Sequence, residues 1–297
     1  MKILKKSFVS RARMFQSALF AFLLAGIVLQ SEAQIYTISD ANNNSSVQVS
    51  LSGGGSGLSD WQVGGVNQLY QQWFYYSLGS GTINSIDTIA SPSSINNHNT
   101  GSAPFLSATY ASSTISVTTK FGLNNSPTLS DTITVLNPLN SGQTQVFHFY
   151  QYSDFDLGGI AGSQNVQFSS NGSGTAYEVD QAGGTASLEG TVTALSGGVS
   201  VVPKEQAGIY DGVQFGLANG NAAPALNNSL IAGPGDVVYA YEWDLTLAPG
   251  SSIQISENQI FTVPEPSTLV LISFGIGILG WALSNRGRRG TQASFLA

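Results

Sequence analysis

Asp154 and Asp156, with one residue between them, follow a stretch of alternating apolar and polar residues, 145–152. On an extended chain, residues two apart point to the same face, so both carboxylates could bind one Ca²⁺ ion or flank a glycosidic bond. The segment Leu157-Gly158-Gly159 favours a structural interpretation, a turn at a strand end in which Asp accepts local hydrogen bonds. Asp154 and Asp156 are therefore the candidate metal ligands, and Ca²⁺ is the one possible cofactor.

Two further patterns could contribute to a binding site. Glu242 and Asp244 share the polar face of the stretch 236–247, which we interpret as the solvated outer face of a strand. The aromatic run 73–76 places rings on both faces of a strand, and Trp73 and Tyr75 share one of these faces. Packing in the core is the favoured interpretation of these two rings, but they could also stack on sugars and bind a glycan ligand together with the two aspartates.

Motifs of known catalytic chemistry are absent from the sequence. It contains two histidines and no cysteine, and it lacks a Gly-x-Ser-x-Gly elbow, a P-loop and a His-Glu-x-x-His sequence. His148 alternates with apolar residues, as packed strand residues do, and His98 lies in a polar stretch, 91–101, that we interpret as a solvated loop. We predict no catalytic residue and no enzymatic activity, with a glycan-active role as the open alternative.

Apolar and polar residues alternate with a period of two through most of residues 34–262, so we expect β-strands to position these candidates. The clearest alternation places six apolar side chains on one face of the stretch 236–247: Val237, Tyr239, Tyr241, Trp243, Leu245 and Leu247. Clusters of Gly, Ser and Asn separate the alternating stretches at short intervals. This pattern predicts an all-β fold, an antiparallel β-sandwich that forms a single domain over residues 34–262.

The charge of this domain is strongly negative. Residues 34–262 contain two basic and fifteen acidic side chains, a formal net charge of −13 that the whole-chain value of −7 conceals. Nucleic-acid binding depends on basic patches that face phosphates, so we expect no nucleic-acid partner. Divalent cations, or a matrix that they bridge, are the better match for an acidic surface.

The N-terminal segment has the pattern of a secretory signal peptide. Five basic residues precede an apolar stretch from Phe15 to Leu29, and Ser31-Glu32-Ala33 places small residues at the positions that a signal peptidase reads. We therefore assign residues 1–33 to the signal peptide, with cleavage after Ala33.

The C-terminal segment, residues 263–290, combines three features. Pro264, Glu265 and Pro266 precede an uncharged stretch of 17 residues, Thr268 to Ser284, and Arg286, Arg288 and Arg289 follow it. As a helix this stretch would be roughly 25 Å long, close to the thickness of a bilayer core. The positive-inside rule places the arginines on the cytoplasmic side of a single transmembrane helix.

This arrangement resembles the PEP-CTERM sorting signal of bacterial envelope proteins, although an ordinary membrane anchor would share the helix and the basic end. The resemblance implies recognition of Pro264, Glu265, Pro266 and the three arginines by an exosortase, a membrane cysteine protease that would cut near the Pro-Glu-Pro motif. It also implies a Gram-negative-type bacterium in which the precursor is anchored in the inner membrane. The mature protein would then reach the cell surface or the extracellular matrix.

The sequence as a whole predicts an exported cell-envelope protein with a structural or adhesive role in an exopolysaccharide matrix. A calcium-assisted module that binds or modifies carbohydrate is the alternative. Its expected partners are the exosortase, the membrane through the C-terminal helix, and an exopolysaccharide.

Overall fold

The computed structural model describes residues 34–40, 42, 44–53, 55–99, 103–124, 127–170, 177–184, 186–211, 214–220 and 226–263. Among these residues, no helix has the length and apolarity that a bilayer crossing needs. The signal peptide, its cleavage site at Ala33, the Pro-Glu-Pro motif and the transmembrane helix predicted for the C-terminal segment all lie outside the described residues.

The described chain forms two large antiparallel sheets, as the alternation predicts. The nine-stranded sheet has seven strands in the order β1 (Ile35–Asp40), β2 (Ser45–Ser50), β3 (Gly57–Val63), β5 (Gln71–Leu78), β11 (Gln145–Asp154), β18 (Val237–Leu247) and β16 (Lys204–Ile209). Two short strands extend it, β4 (Val66–Asn67) beside β3 and β6 (Asn84–Ser85) beside β5.

The ten-stranded sheet has nine strands in the order β17 (Ile231–Gly235), β12 (Gln164–Ser170), β13 (Tyr177–Gly183), β14 (Ala186–Ser196), β19 (Ser252–Thr262), β10 (Thr128–Leu136), β9 (Ser116–Leu123), β8 (Phe105–Ala111) and β7 (Ser94–His98). The tenth, β15 (Val199–Ser200), pairs with β14. Four short 3₁₀ helices complete the described elements: Ile86–Thr88, Leu139–Ser141, Leu157–Gly159 and Gln214–Asn219.

The sheets pack face to face through one apolar layer, so the architecture is that of a β-sandwich. Strand β18 shows how the sequence builds this layer, because its six alternating apolar side chains all belong to it. The aromatic rings meet across the layer mostly edge-on, as in the contact of Phe168 on β12 with Tyr241 on β18, whose ring centres lie 5.3 Å apart. The burial of this layer supplies the main driving force for folding in a chain that lacks disulfides.

The outer face of the nine-stranded sheet is covered as well. A second apolar cluster lies there, centred on Tyr150, Tyr152 and Val238 and closed by Leu217 and Leu226 from the segment after β16. This cover buries Glu242, which is 1% exposed. The interpretation of Glu242 and Asp244 as a solvated face is therefore wrong for Glu242, since the chain after β16 shields it from water.

The edge strand β16 carries an inward-pointing charge. Glu205 lies opposite Tyr241 of the interior layer, and its Oε1 atom is buried without a hydrogen-bond partner. Inward-pointing charges on edge strands disfavour the addition of a further strand from another chain. Burial raises the pKa of Glu205 to about 7.

Replacement of Glu205 tests how much the burial of its negative charge destabilises the fold. A carboxyl pKa that is higher in the folded state contributes full stability below about pH 4, and that stability is lost as the pH rises to about 7. We expect Glu205→Gln to unfold like the wild type at about pH 4 and to be more stable by about 1 kcal/mol at about pH 8. Urea denaturation at the two pH values measures this, with the exposed Glu189→Gln on β14 as the matched control. If the difference in unfolding free energy between Glu205→Gln and the wild type is the same at both pH values, the raised pKa of Glu205 is contradicted.

Candidate functional site

Two groups of titratable side chains lie on the outer face of the paired strands β11 and β18. In this pairing His148 stands opposite Asp244, and Asp154 stands opposite Val238. His148 and Asp154 are six positions apart along β11, a distance of roughly 20 Å on an extended strand. The covered tyrosines Tyr150 and Tyr152 lie between the two ends, so the groups form separate sites.

The first group, which we call the aspartate triad, consists of Asp154, Asp156 and Asp236. One carboxylate oxygen from each residue lies within 4.8 Å of the other two. Asp154 ends β11, Asp236 directly precedes β18, and Asp156 precedes the 3₁₀ helix Leu157–Gly159. The amide of Asp156 donates to the carbonyl of Gln68 at 3.0 Å and fixes the turn that brings its side chain back toward Asp154.

The triad brings three carboxyl groups together at a site that is partly shielded from water. Burial, followed by the charges of Asp236 and Asp156, raises the pKa of Asp154 to about 8. Burial first, and then Asp236, raise the pKa of Asp156, and burial raises that of Asp236. One oxygen each of Asp154 and Asp236 is buried without a hydrogen-bond partner. Carboxylate oxygens are among the ligands that Ca²⁺ prefers.

Two exposed tyrosines stand beside the triad. The amide of Tyr70 donates to the carbonyl of Asp154 at 2.9 Å, and the amide of Tyr210 donates to the carbonyl of Asp236 at 2.8 Å. The side chains are 57% and 37% exposed. Burial and the neighbouring Tyr70, Asp154 and Asp236 raise the pKa of Tyr210, which shows that the two rings and the carboxylates share one locality. The exposed apolar side chain of Ile209 also lies near the triad, because it packs beside Gly235, the residue before Asp236.

The structure thus brings together the two predicted aspartates and adds three residues that sequence reasoning missed, Asp236, Tyr70 and Tyr210. Trp73 and Tyr75 lie on the same outer face but have little exposed surface. Tyr75 is 2% exposed within the outer apolar cluster, so its ring offers no face to a sugar, while Trp73 is half-buried against that cluster and packs on Gly55. The predicted sorting residues Pro264, Glu265, Pro266, Arg286, Arg288 and Arg289 lie outside the described residues.

The second group, which we call the lysine cluster, consists of His148, Lys204, Glu242 and Asp244. The Nζ atom of Lys204 lies 3.1 Å from Oε1 of Glu242 and 2.5 Å from Oδ2 of Asp244. His148 Nδ1 lies 2.5 Å from Oδ1 of Asp244, and the amide of Leu226 donates to Oε2 of Glu242 at 2.6 Å. Every carboxylate oxygen in this cluster therefore has a partner.

The two carboxyl groups of the lysine cluster have opposed pKa shifts. Burial raises the pKa of Glu242, and the hydrogen bonds from Leu226 and Lys204 offset this only in part. Burial acts in the same direction on Asp244, but hydrogen bonds from Lys204 and His148 outweigh it and hold the pKa of Asp244 below its usual range. Acid–base pairs in glycosidases show such a split, yet here the ammonium group bridges both carboxylates. The geometry is that of a closed ion-pair network in which Lys204 takes the place of a cation.

Comparison with known families identifies the C-terminal segment. The PEP-CTERM protein-sorting motif matches residues 262–289, which confirms the resemblance drawn from Pro-Glu-Pro, the apolar stretch and the arginines. This finding supports an exported protein that an exosortase sorts. No curated protein matches the chain.

Several solved structures are similar to this one at low sequence identity. A bacterial glucoamylase in complex with acarbose is 11% identical, with a TM-score of 0.48 over 83% of this chain and 36% of that one. The galactose 1-epimerase of Lactobacillus acidophilus NCFM is 9% identical, with a TM-score of 0.47 over 79% of this chain and all of that one. A putative aldose 1-epimerase of Escherichia coli K12 is 10% identical, with a TM-score of 0.43 over 78% of this chain and all of that one. This chain spans little more than a third of the glucoamylase's length.

The lysine cluster makes a prediction about Lys204. In Lys204→Met the buried Glu242 loses its cation, so we expect a loss of about 2 kcal/mol in the free energy of unfolding at about pH 8. The loss should shrink at about pH 4, because Glu242, with its raised pKa, then carries a proton in the variant. Chemical denaturation at both pH values measures it.

The control is Lys120→Met, which removes the other lysine of the exported part. Lys120 lies over the ring of Phe105 at 4.4 Å on the ten-stranded sheet, a contact worth less than 1 kcal/mol at an exposed site. If Lys204→Met and Lys120→Met lose the same free energy of unfolding, the ion-pair network around Lys204 is contradicted.

Proposed function

We propose that this chain is an exported envelope protein that adheres to exopolysaccharide through a calcium-assisted glycan site at the aspartate triad. Its sorting segment delivers it to the cell surface or the extracellular matrix. The observation that carries the proposal is the convergence of three carboxylates, two of which have a buried oxygen without a hydrogen-bond partner, beside two exposed tyrosines.

Charge balance favours a cation at the triad. The exported part has only two basic side chains, Lys120 and Lys204, and both are engaged elsewhere, the first over Phe105 and the second in the lysine cluster. Three carboxylates without a protein cation repel one another, and a bound Ca²⁺ ion would remove this repulsion. The triad would then supply three ligand oxygens to an ion that takes six to eight.

The remaining coordination positions indicate the class of ligand. Sugar hydroxyls and carboxylates are oxygen ligands that can replace the outer waters of a bound Ca²⁺ ion. The rings of Tyr70 and Tyr210 would stack on the apolar faces of the same sugars, and the exposed Ile209 extends this apolar surface. A domain of net charge −13 would also need the cation to approach an acidic polysaccharide.

A purely structural role in the matrix is the second candidate. The filled apolar layer between the sheets and the closed lysine cluster favour it, because they stabilise the fold without offering a cleft. The two candidates share the same export route and differ in whether the triad binds a ligand.

Calorimetry with the producer's own exopolysaccharide tests the glycan site. We expect the full-length protein, purified in detergent, to bind the polysaccharide in Ca²⁺ and not in EDTA. Asp236→Asn removes one charged ligand and should weaken Ca²⁺ binding roughly tenfold or more. Tyr70→Ala should weaken binding of the glycan and leave Ca²⁺ binding unchanged, whereas Tyr70→Phe should retain both.

The matched control is Asp180→Asn, an exposed aspartate on β13 of the other sheet. It should bind both ligands like the wild type. Polysaccharide binding that EDTA leaves intact, or the absence of any binding, would exclude the calcium-assisted role and leave the structural one.

The sorting proposal makes a separate prediction. If an exosortase cuts near Pro264-Glu265-Pro266, the protein in the outer fraction should end near this motif and lack Trp281 and the arginines. The variant Pro264→Ala with Glu265→Ala should accumulate as the longer, membrane-bound form. Intact-mass spectrometry of the membrane and outer fractions measures both forms. A mature outer-fraction protein that retains Trp281 and Arg286 would contradict exosortase cleavage.

A further inference from the structure

Two acidic residues face the apolar layer between the sheets. Asp131 on β10 and Glu257 on β19 stand directly opposite each other in the ten-stranded sheet, and each is 1% exposed. Ile133 and Ile255, two positions away along the same strands, belong to the apolar layer, so both carboxyl groups point into it. Like charges at opposed positions destabilise a sheet, and an apolar interior increases the cost of each charge.

An amide group of the nine-stranded sheet reaches both carboxyl groups. Gln72 on β5 donates from Nε2 to Oδ2 of Asp131 at 2.9 Å and to Oε2 of Glu257 at 3.0 Å. Gln259 on β19 donates to Oε1 of Gln72 at 3.2 Å, which fixes Gln72 with its donor nitrogen toward the carboxyl groups. One amide group therefore links both acidic residues to the opposite sheet.

The two carboxyl groups differ in the donors that they receive. Glu257 accepts from Gln72 and also from Nε2 of Gln151 on β11, whereas Asp131 accepts from Gln72 alone among the side chains that the structure describes. Hydrogen bonds to a carboxylate favour its charged form. Glu257 is therefore the better position for a negative charge, and Asp131 is the better position for a proton.

The described residues around the pair bring no positive charge to it. Lys204 belongs to the lysine cluster, and Lys120 lies over an aromatic ring on the ten-stranded sheet. On β18, Tyr239 and Tyr241 are the titratable groups near the pair, and burial followed by the charge of Glu257 raises both tyrosine pKa values well above the usual value. Both phenols therefore stay neutral. The other strands next to the pair contribute uncharged residues: Ser153 on β11, Phe121 on β9, and Gly190 and Val192 on β14.

The electrostatics agree with the count of donors. Burial first, and then the charge of Glu257, raise the pKa of Asp131 well above its usual range. Burial also raises the pKa of Glu257, to about 7, although hydrogen bonds from the glutamines act in the opposite direction. The carboxyl group with fewer donors thus keeps its proton to the higher pH. Above neutral pH the pair carries one proton and one negative charge.

We propose that this pair is a pH-sensitive joint between the two sheets, in which Asp131 holds the proton and Glu257 carries the negative charge above neutral pH. The joint is separate from the aspartate triad and does not depend on the proposed function. In the unfolded chain both groups lose their protons at about pH 4. The stability that the protonated groups contribute is therefore complete below that pH and is lost as the pH rises through the folded pKa values. The exported domain becomes less stable from acidic to alkaline surroundings.

Infrared spectroscopy tests where the proton lies. We label the aspartate carboxyl carbons of the full-length protein with ¹³C and record the protonated-carboxyl band in detergent at about pH 8.5, with native near-ultraviolet circular dichroism as the check of folding. The protein used is Asp154→Asn, because Asp154, with a pKa of about 8, would otherwise add its own band. We expect a band that shifts with the aspartate label and that disappears when Asp131→Asn is added. A band that shifts only with a glutamate label, or no band at all, overturns the proposal, and this result does not require Asp131→Asn to fold.

Urea denaturation tests the consequence for stability. Between about pH 6 and about pH 8, Asp131 is ionised in the unfolded chain and protonated in the folded one, whereas Asn at this position does not titrate. The unfolding equilibrium constant of the wild type should therefore rise about a hundredfold relative to that of Asp131→Asn over this range. Glu189→Gln, an exposed position on β14, is the matched control and should follow the wild type. If the ratio between wild type and Asp131→Asn is the same at both pH values, the proposal is overturned.

Discussion

A shortage of positive charge is the constraint on which the rest of this structure depends. Two lysines accompany fifteen acidic side chains in the exported part. Lys204 neutralises one acidic cluster and closes it as an ion-pair network, while Lys120 lies over the ring of Phe105. The aspartate triad, and the opposed Asp131 and Glu257 between the sheets, have no lysine as a recorded partner. The charge on these groups is therefore offset by protons, by hydrogen bonds or by ions from solution.

The register between β11 and β18 determines where these charges lie. Because side chains alternate along a strand, one face of each strand builds the apolar layer and the other carries His148 and Asp154 on β11, and Glu242 and Asp244 on β18. A shift of one residue would move the carboxylates into the layer and the aromatic rings out of it. The fold and its charged sites thus depend on the same alignment of two central strands.

The sequence predicted the sandwich and two of the five residues of the candidate site, for a physical reason. Period-two alternation is a local signal, so the apolar face of β18 and the shared direction of Asp154 and Asp156 could be read directly. Asp236, Tyr70 and Tyr210 join the site only through tertiary hydrogen bonds to distant residues, which no local spacing encodes. The burial of Glu242 was missed because its cover comes from residues after β16, and residues 94–98 form the exposed edge strand β7 where a loop was expected.

The position of β19 has a mechanical consequence for a domain that is sorted by its C-terminal end. This strand ends at Thr262, one residue before the C-terminal segment, and it lies between β10 and β14 with hydrogen bonds along both sides. A force applied through the C-terminal segment would pull along a central strand and load two ladders of hydrogen bonds in shear, instead of unzipping one edge bond by bond. Because Thr262 directly precedes this segment, anything that holds the segment also holds the folded sandwich close by.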